Sequence, residues 1–85
     1  MKIWGRLKTD NAITHSVTVT WQAKTAYDVE DWGEPFTKLC RELDIARPVI
    51  LKKHTRDLRE FSHTTFYPAD FMEPVGFDKF EVELF

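Results

Sequence analysis

The chain has 85 residues, is 42% hydrophobic and 14% aromatic, and carries a formal net charge of −2. That length holds one domain and not two independent cores, and the apolar content is too high for a disordered chain. The slightly acidic balance opposes a general nucleic-acid binder, and a single cysteine, Cys40, excludes an internal disulfide.

No stretch approaches the roughly 20 apolar residues that cross a bilayer, and the opening MKIWGRLKTD has no apolar run of signal-peptide length. The expectation is a soluble, cytoplasmic protein with no membrane contact. Charge falls in blocks: basic over residues 1–24, acidic over 28–44, basic over 47–60 and acidic from Tyr67 onward. Such blocks on a small domain usually pair with one another or stay solvated.

Residues 2–9 and 13–21 read as a hairpin around Asp10-Asn11-Ala12. Pairing Thr9 with Ala12 through a two-residue turn mixes the faces. A three-residue loop pairing Thr9 with Ile13 sets Ile3 opposite Val19, Gly5 opposite Val17 and Leu7 opposite His15, which gathers the apolar side chains on one face. In that register Trp4 shares the outer face with Arg6 and Lys8.

Residues 31–44 form the main helix, because Trp32, Phe36, Leu39, Cys40 and Leu43 make one stripe at the helical period. Pro35 belongs in the first turn, where its missing N–H costs nothing, so the regular helix starts near Glu34 with Asp31 or Gly33 near the cap. Cys40 sits in the stripe as a small core residue. Pro48-Val49-Ile50-Leu51 reads as a short strand. Residues 55–61 form a second helix, with Thr55 as its cap, Asp57 in its first turn and Leu58 and Phe61 facing inward. Thr64–Tyr67 extends as a strand, and Pro68–Met72 makes one helical turn. KFEVELF alternates as a half-buried antiparallel strand. The order β-β-α-β-α-β-β gives a single compact α+β domain over residues 1–85, a small, mostly antiparallel sheet with both helices on one face.

Candidate chemistry concentrates in KKHTRDLREFSHTTFYPADF. His54 and Asp57 stand three apart, a spacing at which a carboxylate can orient an imidazole for general-base work, and His63 or an arginine could assist. Two such residues do not make a site, and hydrolysis needs an electrophile binder or nucleophile as well. The blander reading makes His54 a semi-buried hydrogen-bonding residue and Asp57 a helix-start acid. His54 and His63, nine apart, match no metal-ligand spacing, so no metal and no cofactor are expected. Gly5, Gly33 and Gly76 are too scattered for a phosphate loop.

Aromatic residues give a second candidate. Trp4 beside Arg6 and Lys8 is the combination on which single-stranded nucleic acids stack and pair their phosphates, but no matching motif accompanies it. Tyr67 and Phe71, at the Phe66–Met72 corner, complete the set of candidate binding residues.

Trp4-Gly5, Glu42-Leu43-Asp44-Ile45 with Pro48, Leu51 with Lys53-His54, Thr65-Phe66, Asp70-Phe71-Met72-Glu73-Pro74 and Phe77-Asp78 together resemble a set of short bacterial proteins of no assigned function. The resemblance implies a stand-alone bacterial domain and brings no activity, cofactor or catalytic residue.

The leading expectation is a non-enzymatic interaction domain that binds a protein partner or forms a homodimer through the outer hairpin face and the Phe66–Met72 corner. The alternatives are a small hydrolase or nuclease using His54 and Asp57, and a weak single-stranded nucleic-acid binder using Trp4, Arg6 and Lys8.

Overall fold

The computed structural model describes residues 1–85. Four strands, β1 (Lys2–Thr9), β2 (Ala12–Thr20), β3 (His63–Phe66) and β4 (Lys79–Leu84), form one antiparallel sheet in the order β2-β1-β4-β3. Two helices, α1 (Gly33–Leu43) and α2 (Lys52–Phe61), connect β2 to β3; α1 packs on β1 and β2, and α2 on β3. The fold is α+β, as expected.

The hairpin reconciles two alternatives that seemed exclusive. Ile3, Gly5 and Leu7 face Val19, Val17 and His15, as the apolar alternation requires, yet Thr9 pairs with Ala12 through a two-residue turn. Asp10 and Asn11 take positive φ values of 52° and 65°, the pair of left-handed residues that a tight hairpin turn needs and that Asp and Asn tolerate. The register is corrected beyond Leu7, where Thr14 bulges out between the Leu7–His15 and Lys8–Ile13 pairs. One extra residue on β2 thus returns its apolar side chains to the core face.

Helix α1 buries the whole predicted stripe, Trp32, Phe36, Leu39, Cys40 and Leu43. Asp31 Oδ1 accepts the Gly33 N–H at 2.8 Å, and Asp44 closes the helix in the left-handed region, with Ile45 N–H reaching back to Cys40 O at 3.0 Å. Gly5 lies directly beneath this helix. A Cβ there would stand 2.9 Å from both Leu39 methyl groups, so the glycine sets how closely α1 approaches the sheet.

Three expectations are corrected. Residues 48–51 join no sheet; Pro48 brings no N–H to a ladder, and the segment's one backbone bond to the corner is Val49 N–H to Asp70 O at 2.7 Å. The element order is therefore β-β-α-α-β-β. Helix α2 begins at Lys52 rather than Thr55, because His54 supplies the cap described below. Phe61, expected inward, is 60% exposed and sits beside His63 at 6.4 Å between ring centroids. Starting the helix earlier makes His54 and Leu58 its buried face.

One core of 16 buried apolar residues joins Ile3, Leu7, Val19, Leu39, Leu58 and Val82. At its centre Phe36 meets Phe66 edge-on at 5.4 Å, and Phe66 stacks on Phe80 at 5.7 Å. Such pairs add about 0.5–1.5 kcal/mol each beyond the area they bury.

Candidate interaction surface

His54 is 1% exposed and lies against Phe66, ring centroids 4.1 Å apart. Its Nδ1 accepts the Leu51 N–H at 2.9 Å, the backward reach that Glu or Gln makes from the third helical position of a capping box. An accepting Nδ1 requires the proton on Nε2, which faces Asp70 Oδ2 at 3.8 Å, too far for a hydrogen bond. Burial lowers the pKa of His54; Asp70 opposes that shift, Lys53 reinforces it, and Asp57 opposes it more weakly.

The candidate residues of this stretch are thus distributed rather than gathered. Asp57 accepts the Thr64 hydroxyl at 3.3 Å. His63 is exposed on the sheet face opposite that of Thr64 and Phe66, both buried beneath the helices. In this conformation both nitrogens of the buried His54 ring face protein groups, and neither is open to a substrate proton. No group of three or more His, Cys, Asp or Glu residues is placed to hold a metal ion. Burial pushes the Cys40 thiol up to about 12, with Arg47 pulling weakly the other way.

On the outer sheet face Trp4 is half-buried, its indole N–H donating to Ser16 Oγ at 2.6 Å and its ring covered by the Arg6 guanidinium at 4.2 Å. Arg6 Nε also donates to Glu81 Oε1 at 2.7 Å, where Lys8 Nζ meets the same oxygen at 3.0 Å, and Arg6 Nη2 reaches Glu83 at 3.4 Å. For Glu81, burial raises the pKa, but the hydrogen bonds from Lys8 and Arg6 outweigh it and the net shift is downward. Trp4, Arg6 and Lys8 do share one face. Their positive charge is already matched by β4.

The corner after β3 is built differently. Asp70 Oδ2 accepts the Tyr67 N–H at 2.8 Å, closing a single 3-10 turn at Pro68–Asp70. Phe71 points inward and packs on Phe77 at 5.3 Å and Phe80 at 6.4 Å. Around the turn, Val49 (43% exposed), Leu51 (45%), Tyr67 (51%) and Met72 (89%) stay outside. Asp70 ties the chain together here: its carbonyl receives the Val49 N–H, its carboxylate receives the Tyr67 N–H and faces the imidazole that caps Leu51, and Met72 follows two residues on. Val49 and Met72 also line an open groove of about 780 Å³ with Arg47, Arg59 and the start of α1.

The expected Phe66–Met72 corner holds Tyr67 and Met72 at the surface, but Phe71, expected to bind, is buried in the core; Val49, Leu51 and the organising role of Asp70 lie outside the sequence expectations. The signal for Asp70 was the Tyr67-Pro68-Ala69-Asp70 spacing, an aspartate three residues after a turn's first residue. No helix of the structure is long and apolar enough to cross a membrane. Comparison with protein families, with characterised proteins and with solved structures finds no match.

Proposed function

We propose that the protein is a non-enzymatic interaction domain of the cytoplasm that binds a protein partner through the corner formed by Val49, Leu51, Tyr67 and Met72. The observation that carries this reading is the placing of four large exposed apolar side chains about one hydrogen-bonded turn. Large apolar side chains left exposed close together in the fold mark surfaces where proteins dock more often than surfaces that meet only water. Aromatic and methionine side chains are also enriched where proteins dock.

Single-stranded nucleic acid draws less support from the geometry, because Glu81 and Glu83 occupy the cations beside Trp4. Hydrolysis through His54 draws less as well, because the imidazole is enclosed and caps α2.

The test replaces Tyr67 and Met72 together by serine, two changes that remove apolar surface without touching the core. The immobilised native chain should retain a discrete protein from an extract of its own cells, and the double variant should lose it while its circular dichroism stays unchanged. Equal retention by both would end this reading.

A further inference from the structure

The exposed edge of β2 carries a second inference, which concerns a different surface from the corner and does not depend on it. Trp21 N–H donates to Met1 O at 2.9 Å, and the Met1 amino group donates to Trp21 O at 2.9 Å. Lys2 and Phe85 likewise exchange bonds, at 2.8 and 2.9 Å, across the β1–β4 ladder. In an antiparallel ladder alternate residues turn their backbone groups to opposite sides. Val17 and Val19, opposite Gly5 and Ile3, therefore spend their N–H and C=O groups on β1. Ser16, Thr18 and Thr20 turn theirs to the open edge. The contact of Lys38 Nζ with Thr20 O at 3.4 Å fits that direction.

Proteins guard such edges with charge, proline, bulges or short strands. The opposite edge, β3, has four residues, and the Tyr67 N–H just beyond it is taken by Asp70. β2 has nine residues, AITHSVTVT, with no Lys, Arg, Asp, Glu or Pro among them. Its guards stand only at the ends: the bulge at Thr14 and the flexible Lys38 at Thr20. The run from His15 to Thr20 is open and rich in β-branched residues, the composition that pairs most readily with another strand.

We infer that this edge pairs with the same edge of a second copy, about a two-fold axis through Thr18, to make one continuous antiparallel sheet. The strand's own pattern selects that occupant. Read backwards about Thr18, Ser16 meets Thr20 of the second copy and hydroxyl-bearing side chains line the outer face. On the inner face Val17 meets Val19 of the second copy twice over, and His15 meets Trp21. Half-buried Val17 and Trp21, at the margin of the core, gain cover from Val19 and His15 of the second copy. The neighbouring surface of α1 presents Glu34, Lys38, Arg41 and Glu42 around Trp21, two acids and two bases, so a second copy brings no net charge against it.

Two measurements test this. Sedimentation equilibrium from micromolar to millimolar concentration should show a monomer–dimer equilibrium. Over the same range, amide exchange by NMR should slow at Ser16, Thr18 and Thr20 as dimer forms, while Val17 and Val19 stay protected throughout. Thr18→Pro removes an N–H that the monomer does not use, in a setting where proline is tolerated, and should raise the dissociation constant at least about tenfold. Thr18→Lys, which leaves the backbone intact, should do the same should the proline disturb folding. The Tyr67→Ser/Met72→Ser chain should dimerise as the native one does.

A chain monomeric at every concentration overturns the inference, as does a dimer indifferent to both Thr18 variants. A dimer lost in the Tyr67/Met72 variant but kept in Thr18→Lys overturns it too, and leaves the corner as the binding surface. Protection of Ser16, Thr18 and Thr20 that arises only with another protein replaces the second copy by a foreign strand.

Discussion

At the scale of single residues, His54 connects burial to helix formation. Its ring fills core space beside Phe66, and its Nδ1 holds the N–H of Leu51, the residue just before α2. Both roles require a neutral imidazole, since protonation of Nδ1 removes the acceptor and leaves a buried charge. The folded pKa is depressed, so the unfolded chain binds the extra proton first. The stabilising contribution of His54 is fully present above the unfolded value of about 6.5 and is lost as pH falls through it toward the folded value. Urea denaturation of the native chain should therefore weaken between pH 7 and pH 5. His54→Gln retains a neutral acceptor at the capping position, so that slope should flatten. His54→Ala should cost about 2–4 kcal/mol at pH 7 through the cavity and the orphaned Leu51 N–H. An alanine variant as stable as the native chain would show that the cap carries no weight.

Among the elements, the closest fit is between α1 and β1. Leu39 is fully buried, and its methyl groups occupy the space that a side chain at position 5 would need. Gly5→Ala should therefore destabilise by about 1–3 kcal/mol, an overpacking cost, which lowers the melting temperature by several degrees in a domain of this size. Leu39→Val trims the opposing side chain, so adding Gly5→Ala to it should cost less than adding it to the native chain. Equal costs in both backgrounds would place the strain elsewhere.

The same elements explain what the sequence could reveal. Trp32, Phe36, Leu39, Cys40 and Leu43 specify α1 because only a helix brings those five to one side. Ile3, Leu7, Val17 and Val19 specify the hairpin register because a slip by one residue would turn the apolar set to water. The bulge at Thr14 stayed hidden because an extra residue leaves the strand pattern intact on either side of it. The start of α2 stayed hidden because Leu51 and His54 are not usual capping types. At residues 48–51 the sequence shows a short continuous apolar run, and such a run does not say whether a neighbouring strand exists to complete a ladder. The corner was half legible. Tyr67 is exposed and Phe71 buried for a reason outside their own segment, namely that Phe77 and Phe80 stand where Phe71 can reach them.

For the whole molecule, the order β2-β1-β4-β3 puts the first and last strands side by side at the centre and leaves the continuous hairpin partner, β2, at the margin. Arg6 and Glu81 face each other across that central ladder and are bonded at 2.7 Å, whereas most of β2 is exposed. Local opening begins where fewest apolar contacts are lost, so β2 should detach at lower free energy than β4. The ladder alternation turns this into a residue-level pattern. Along β1, the even-numbered residues Trp4 and Arg6 bond toward β4, and the odd-numbered Ile3 and Gly5 bond toward β2. In native-state exchange of the monomer, held so by low concentration or by Thr18→Lys, the amides of Trp4 and Arg6 should be protected to a higher free energy than those of Ile3 and Gly5. The two sets should converge at the denaturant concentration where global unfolding takes over. Uniform protection along β1 would mean that the sheet opens as one unit, and protection favouring Ile3 and Gly5 would make β4 the strand that leaves first.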